Sequence, residues 1–460
     1  MMEQEHYHLI GIGGIGMSSI ARLILRGNAQ VSGSDIRETA ITLELQKLGA
    51  RIFIGHRPEN VHGAATVIYS SAIKEGNSEL EEARRQNLRL LRRAQALAEL
   101  MRDKTVITVT GSHGKTTTTS LASFLLLEAG LSPTVSIGGI LKNIDANACL
   151  GEGEFFVAEA DESDGSFLYY RPKYSIITNL DREHLDYYQT FENEISAFRK
   201  FLSRTVEGGC AFCCADDFNL KNILKGYKKK YVLFGLKPDA DVYPKNIRIK
   251  GLSSEFDCYC RDKLIGRFRL SLGGEHNISN AMAVVALGLE LGIDISHIKI
   301  ALRNYRGSRR RLEVKFSGKS NTIIDDYAHH PTEIKAALSA VKNLSPRRII
   351  AVFQPHRYSR TKLLLEEFSR SFNLADCLVL ADIYPASEPP IAGLSSKNLL
   401  DKIREYAPEK EVILLPKEQI AGHVLSILKD ADLVIILGAG DIVKVSDELV
   451  ERLKTKVTIQ

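Results

Sequence analysis

No apolar run in this sequence approaches the roughly 18 residues needed to cross a membrane; a stretch such as Ala431-Asp432-Leu433-Val434-Ile435-Ile436-Leu437 is far too short. A secretory signal is missing as well. Met1-Met2-Glu3-Gln4-Glu5-His6 is polar and acidic, without a basic start, an apolar middle or a small-residue cleavage site. Cysteine is scarce, and its count of seven is odd, which argues against a disulfide framework and for reduced thiols in the cytoplasm. Cys210-x-x-Cys213-Cys214 and Cys258-x-Cys260 do not have zinc-ribbon spacing, so they are expected as small buried hydrophobes. Charge of one sign is lacking too: 61 Lys plus Arg against 56 Asp plus Glu leaves +5, too little over 460 residues for a nucleic-acid binder. No short solenoid repeat is present.

What remains is an ordinary globular composition, 44% hydrophobic and 25% charged, which excludes disordered, collagen-like and coiled-coil chains. At about 150 residues per domain the length suggests three domains. Short apolar runs alternate with helical-period stretches throughout, predicting an α/β protein with largely parallel sheets. The pattern restarts twice, which divides the chain into residues 1–104, 105–308 and 309–460. The first of these is expected to end in one charged helical stretch, Leu80 to Arg102.

Gly11-Ile12-Gly13-Gly14-Ile15-Gly16 follows a strand and precedes a helical pattern from Met17 to Leu25. Glycines allow a tight strand-to-helix turn and close approach of a diphosphate to free N–H groups at the helix start. Asp35 ends the next strand, where a ribose-binding acid is expected. A dinucleotide and a nucleotide-sugar diphosphate both suit this geometry.

A second loop follows the strand Val106 to Val109: Gly111, Ser112, His113, Gly114, Lys115, Thr116 and Thr117, and then an apolar helix. Strand, glycine loop and Lys-Thr opening a helix form a phosphate cradle, with the lysine on the outer phosphates and the Thr116 hydroxyl placed for Mg²⁺. Val109 stands where the commoner form has its first glycine, so this is a shorter Gly-x-x-Gly-Lys-Thr version. Glu159-Ala160-Asp161-Glu162-Ser163-Asp164 ends the next apolar strand, a position suited to holding Mg²⁺. His184 lies between carboxylates at another strand end and is expected near metal. His276, Asn277 and Asn280 open a further helix; Asn277 can cap it, and His276 with the amides can also contact a base.

In the third segment, Asp325-Asp326-Tyr327-Ala328-His329-His330-Pro331 precedes a helix expected to be capped by Thr332. His356-Arg357-Tyr358-Ser359-Arg360-Thr361 follows the strand Arg348 to Phe353. If a helix begins here, Arg357 and Arg360 share a face and make a fork for a carboxylate or phosphate; a solvated basic face is the alternative. The proline-rich loop Ile383 to Pro390 is expected as a site wall.

These motifs, in this order, resemble the Mur ligase family over essentially the full length. The matching stretches are the loops at Gly11–Met17 and Thr110–Thr117, Glu159–Asp164, Asn179–Asp186, His276–Ala281, Arg310–Glu313, Asp325–Pro331 and His356–Thr361. The resemblance implies a Rossmann-like N-terminal domain for a UDP-sugar, a central P-loop ATPase-type α/β domain and a C-terminal Rossmann-like domain that closes over the site. It further implies ATP and Mg²⁺ as cofactors and peptidoglycan precursor synthesis. UDP-N-acetylmuramate would be phosphorylated on its lactyl carboxylate by ATP, and the acyl phosphate attacked by the amine of L-alanine. It places Gly11, Gly13, Gly14, Ile15, Gly16, Asp35, Ser70 and Ser71 on the UDP-sugar, and the 111–117 loop on ATP. Thr116 and Glu159 would hold one Mg²⁺ and His184 a second; His276, Asn277 and Asn280 would face adenine; Arg311 and Asp326 would reach ATP; Tyr327, His356, Arg357 and Arg360 would form the amino-acid pocket. Neither nucleic acid nor membrane insertion is expected, and monomer and homodimer stay open. The competing readings are a relative that recycles a peptide onto the same sugar, an NAD-dependent oxidoreductase, and a non-catalytic nucleotide switch. The oxidoreductase leaves the second loop without a purpose, and the switch leaves the third segment unexplained.

Overall fold

The computed structural model describes residues 5–318, 321–386 and 388–458. The first four residues of the polar N-terminal stretch, and Ser387 of the proline loop, lie outside the described residues. The structure is α/β, with three sheets. Two compact units are present: one takes the chain to Asn246 with Phe256–Arg269 and Ser279–Arg306, the other takes Ile247–Glu255, Leu270–Ile278 and the chain from Gly307 onward.

The first sheet has five strands in the spatial order Arg51–Ile54, Gln30–Asp35, His6–Ile10, Thr66–Tyr69, Arg89–Arg92, all parallel. The chain winds outward on one side of His6–Ile10 and then crosses to the other. That reversal opens a crevice at the carboxyl ends of His6–Ile10 and Thr66–Tyr69, the ordinary place for a ligand in such sheets. The glycine loop and Ser70-Ser71 both emerge there. Under the loop, Ser34 accepts from the Gly11 and Ile12 amides through its carbonyl and donates its hydroxyl to the fully buried Glu79. Asn60 also donates to Glu79, and His56 and His8 lie 3.2 and 3.6 Å from it. The helical stretch expected from Leu80 to Arg102 is two helices, Ser78–Arg85 and Arg93–Leu100, separated by the edge strand Arg89–Arg92. Asn87, with φ of 54°, turns the chain between them.

In the second sheet, ten-stranded, Thr105–Thr110 is flanked by Phe155–Glu159 and Tyr174–Ile177, both parallel to it. The phosphate-type loop therefore also leaves from a reversal in strand order. The helix that follows, Lys115–Glu128, begins Lys-Thr-Thr-Thr-Thr, a poor helix former. Two of its hydroxyls are satisfied against the preceding turn, Thr119 donating to the Lys115 carbonyl and Ser120 to that of Thr116, whereas the buried Thr118 hydroxyl has no partner among the described residues. The helix Ile15–Arg26 after the glycine loop packs on the second sheet within one unit, Ser19 meeting Ser136 hydroxyl to hydroxyl at 2.9 Å and Asn147 donating to the Ile15 carbonyl. Cys210, Cys213 and Cys214 lie on the buried strand Cys210–Cys214; burial pushes the Cys210 thiol up to about 12 and that of Cys214 to about 11.

The third sheet runs Glu313–Ser317, Thr322–Asp326, Asp432–Leu437, Arg348–Phe353, Cys377–Leu380, Glu411–Leu414, with only the first strand antiparallel to its neighbour. Its central strands are apolar on both sides because both faces carry helices. Ile349, Ala351 and Phe353 pack toward Pro331–Lys342 and Ser396–Tyr406, whereas Ile350 and Val352 pack toward Lys417–Ile427 and Val443–Thr458. Thr332 is not the cap of its helix. Pro331 fits the first helical position, so the cap is His330, whose ring accepts from the Thr332 amide, while Glu333 reaches back to the His330 N–H.

Candidate active site

The central loop is built by close backbone approach. Gly111 has φ of 122°, and a methyl there would come 2.3 Å from the Thr178 hydroxyl. Gly114, at φ of 83°, would meet Asn280 at 2.6 Å. The loop is clamped by the segment after Tyr174–Ile177: Asn179 accepts from the His113 amide at 2.8 Å, Thr178 donates to the His113 carbonyl at 2.6 Å, and His113 Nε2 lies 2.9 Å from Asp181. If this loop holds the ATP phosphates, as the resemblance implies, Gly114→Ala raises the ATP KM on the order of tenfold through left-handed strain of about 1–2 kcal/mol and displacement of Asn280. Steady-state kinetics with ATP varied would check it, the UDP-sugar KM staying within twofold.

Lys115 turns back over this cradle. Its ammonium donates to the Gly111 carbonyl at 2.7 Å, to that of Ser112 at 3.1 Å and to Glu162 at 2.6 Å. Burial would lower its pKa, but the carboxylates of Glu162, Glu183 and Asp161 outweigh that and raise it, so it stays charged. Glu159 accepts from the Thr116 hydroxyl at 3.2 Å and from the Gly138 amide at 2.9 Å. The Thr116–Glu159 oxygen pair suits a hard divalent cation. His184, at φ of 54°, brings Nε2 to 3.4 Å from Glu162 and 3.6 Å from Glu183; burial opposes its charge, yet these carboxylates raise its pKa. Glu162, Glu183 and His184 offer ligand atoms within 4.8 Å of one another. Glu162, which the sequence leaves unassigned, is the acid that meets the lysine, and nothing in Glu-Ala-Asp-Glu-Ser-Asp says which acid does so.

Asn277 is not the cap of its helix, which begins at Glu275. It is already inside the first turn and donates to the Gly273 carbonyl at 2.8 Å. Burial holds the neighbouring His276 imidazole down at about 4. In the first sheet's loop, Asp35 accepts from the Gly13 amide at 2.9 Å, fastening the loop itself. Ser70 lies against Gly11, and Ser71 lines a cavity of about 510 Å³ with Arg92, Arg93 and Asp164.

The third-segment residues gather at the carboxyl ends of their sheet. The guanidinium groups of Arg310 and Arg311 lie over the Tyr327 ring, 5.2 and 5.1 Å from its centre. Asp326 accepts from the Leu312 and Ala328 amides; burial pushes it up to about 6 against the pull of Arg311. His356 stacks on Tyr384 at 5.5 Å and receives Arg360 Nη1 on Nδ1 at 3.2 Å. The shared helical face expected for Arg357 and Arg360 is absent. The helix is Tyr358–Leu363, and Arg357 precedes it at φ of 70°, a conformation that cannot continue a helix. Arg357 instead lies 3.8 Å from Glu388 of the proline loop. Arg310, unassigned from sequence, binds Asp325 at 3.0 Å and the carbonyl of Gly438 at 2.6 Å.

Three domain families match this chain: "Mur ligase family, catalytic domain" over residues 6–105, "Mur ligase middle domain" over 109–288 and "Mur ligase, glutamate ligase domain" over 310–440. It is 46% identical over 453 residues, 98% of this chain and 99% of the other, to a UDP-N-acetylmuramate–L-alanine ligase of Desulfotalea psychrophila. Its fold is similar to the crystal structure of a UDP-N-acetylmuramate–alanine ligase from Thermotoga maritima, with a TM-score of 0.84, 30% identity and coverage of 98% and 99%. A murein peptide ligase from Psychrobacter arcticus is similar at a TM-score of 0.73, 25% identity and 98% coverage of both chains.

Proposed function

Since this chain belongs to the Mur ligase family, we propose that it joins L-alanine to the lactyl carboxylate of UDP-N-acetylmuramate, using ATP, in peptidoglycan precursor synthesis. The observation that carries this reading is the likeness to L-alanine ligases along the whole of both chains. Relatives named for that reaction match at 42–46% identity, and among solved structures the alanine ligase, at 30% identity and a TM-score of 0.84, exceeds the murein peptide ligase at 25% and 0.73. The ATP phosphoryl group passes to the carboxylate, the alanine amine displaces phosphate from the acyl phosphate, and ADP leaves.

The residue roles belong to the same proposal. Residues 1–104 hold the sugar nucleotide, 105–308 hold ATP, and 309–460 hold alanine. Lys115 keeps a fixed positive charge beside the loop carbonyls where phosphate oxygens enter, and so stabilises charge on the transferring group. Thr116 and Glu159 would hold Mg²⁺ and His184 a second ion, each neutralising phosphate charge. His276, kept neutral by burial, and Asn277 and Asn280 flank the adenine. A cytoplasmic location, where ATP is plentiful and thiols stay reduced, completes the reading; among the described residues no helix is long and apolar enough to cross a membrane.

Incubation with ATP, Mg²⁺, UDP-N-acetylmuramate and labelled L-alanine should release one phosphate per amide formed. Phosphate release that needs a peptide in place of alanine would favour the recycling enzyme instead. Glu159→Gln is expected to raise the Mg²⁺ concentration for half-maximal rate several-fold, because it removes a charged ligand while the loop stays clamped. A Mg²⁺ titration identical to the parent's would remove Glu159 from that role.

A further inference from the structure

Arg93 is the cation that the glycine loop and the acidic strand end share. It opens the helix Arg93–Leu100 directly after the edge strand of the first sheet. Its side chain lies against Gly16: a methyl on that glycine would come 3.0 Å from Cδ and 3.2 Å from Nη1. On its other side Nη2 meets Asp161 at 3.4 Å, two residues beyond Glu159. The side chain is only 17% exposed. Lys115, the nearby ammonium, is already matched by Glu162 and two carbonyls. A guanidinium has five N–H donors, and among the described residues Arg93 makes one hydrogen bond, a long one. The Tyr170 hydroxyl, which feels the charges of Arg93, Asp161 and Asp164, is buried with no hydrogen-bond partner among the described residues. The remaining Arg93 donors are accessible to a ligand rather than sealed in, the side chain being 17% exposed; the enclosed Tyr170 hydroxyl beside them is the group that is costly to leave unpaired. The 510 Å³ cavity beside Arg93 is lined by the guanidinium groups of Arg92, Arg93 and Arg204 against the carboxylates of Glu75 and Asp164, a balance that leaves one positive charge for an anion.

Building on the ligase reading, we propose that Arg93 receives the lactyl carboxylate of the sugar nucleotide and presents it for phosphoryl transfer. The sugar diphosphate enters from the glycine loop and the phosphoryl group from the Glu159 side, and Arg93 is in contact with both structures. The planar guanidinium fork fits a carboxylate two-point, which an ammonium does not. Arg93 thereby distinguishes the lactyl sugar from the same nucleotide sugar without it.

The test is calorimetric binding of UDP-N-acetylmuramate and of UDP-N-acetylglucosamine, which lacks the lactyl group, to the parent, Arg93→Gln and Arg93→Lys. Charge-assisted bonds of this kind correspond to a change on the order of 10–100-fold. The parent should prefer the lactyl sugar. Arg93→Gln should lose that preference by weakening the lactyl ligand alone, the other Kd staying within threefold, and Arg93→Lys should restore it only in part. Equal weakening of both ligands, or a preference kept intact in both variants of an alanine-ligating parent, would overturn the proposal. A parent that forms no amide from alanine would instead overturn the ligase reading on which it rests.

Discussion

Replacing Lys115 by alanine is expected to lower turnover on the order of 10³-fold or more, while UDP-N-acetylmuramate still binds. In the proposed roles the lysine provides fixed charge where charge accumulates on the transferring phosphoryl group, and the sugar site is built on a different sheet. The structure adds a second expectation. Glu162 is wholly buried, and Lys115 is its strongest partner at 2.6 Å; Thr110 at 3.3 Å and His184 at 3.4 Å remain. Removing one member of a buried ion pair leaves an uncompensated charge, a loss of about 3–5 kcal/mol. Lys115→Ala should therefore also lower Tm by several degrees, and adding Glu162→Gln should restore Tm without restoring turnover. Thermal unfolding and single-turnover phosphate release on the two variants check both halves. Turnover of Lys115→Ala within tenfold of the parent, or recovery of activity in the double variant, would remove Lys115 from phosphoryl transfer.

The division between what was legible in the sequence and what was not follows sequence separation. The two glycine loops, Lys115, Thr116 and the acids after Phe155–Ala158 are local strand–turn–helix features, each dictated by its own few residues. The selection of Glu162 is different: Glu159 ends the strand and Glu162 follows it, and only the fold aims one at Thr116 and the other at Lys115. Arg93 was hidden for two reasons. The strand Arg89–Arg92 reads as part of a charged helix until the first sheet supplies its partner, Thr66–Tyr69. Its contact with Asp161 then spans 68 residues, which no local pattern encodes. Arg357 was misplaced on a helical face because a left-handed φ at a non-glycine residue leaves no mark in periodicity. Asp35 was legible as an acid at the right strand end, but its partner, the Gly13 amide, was not.

The second large effect is expected in the proposed alanine pocket, and the geometry ranks its two arginines. Burial, together with His329, Arg360 and Arg357, drives the His356 imidazole down to about 2. It is therefore neutral at any working pH, and its Nδ1 is free to accept from Arg360. Arg360 is thus oriented by a fixed acceptor, whereas Arg357 has a side chain 38% exposed and faces Glu388 at 3.8 Å. A pre-oriented guanidinium binds a carboxylate two-point and sets the amine for attack. Arg360→Lys should raise the alanine KM and lower kcat/KM for alanine on the order of 10–100-fold, with Arg357→Lys smaller and the ATP KM within twofold in both. A lysine cannot rescue the site, because a point charge lacks the fork. Since His356 does not titrate between pH 5 and 9, the alanine KM of the parent should show no inflection from it in that window. Steady-state kinetics with alanine varied across that pH range decides the matter: an unchanged alanine KM and kcat/KM in both lysine variants would return these arginines to a solvated basic face.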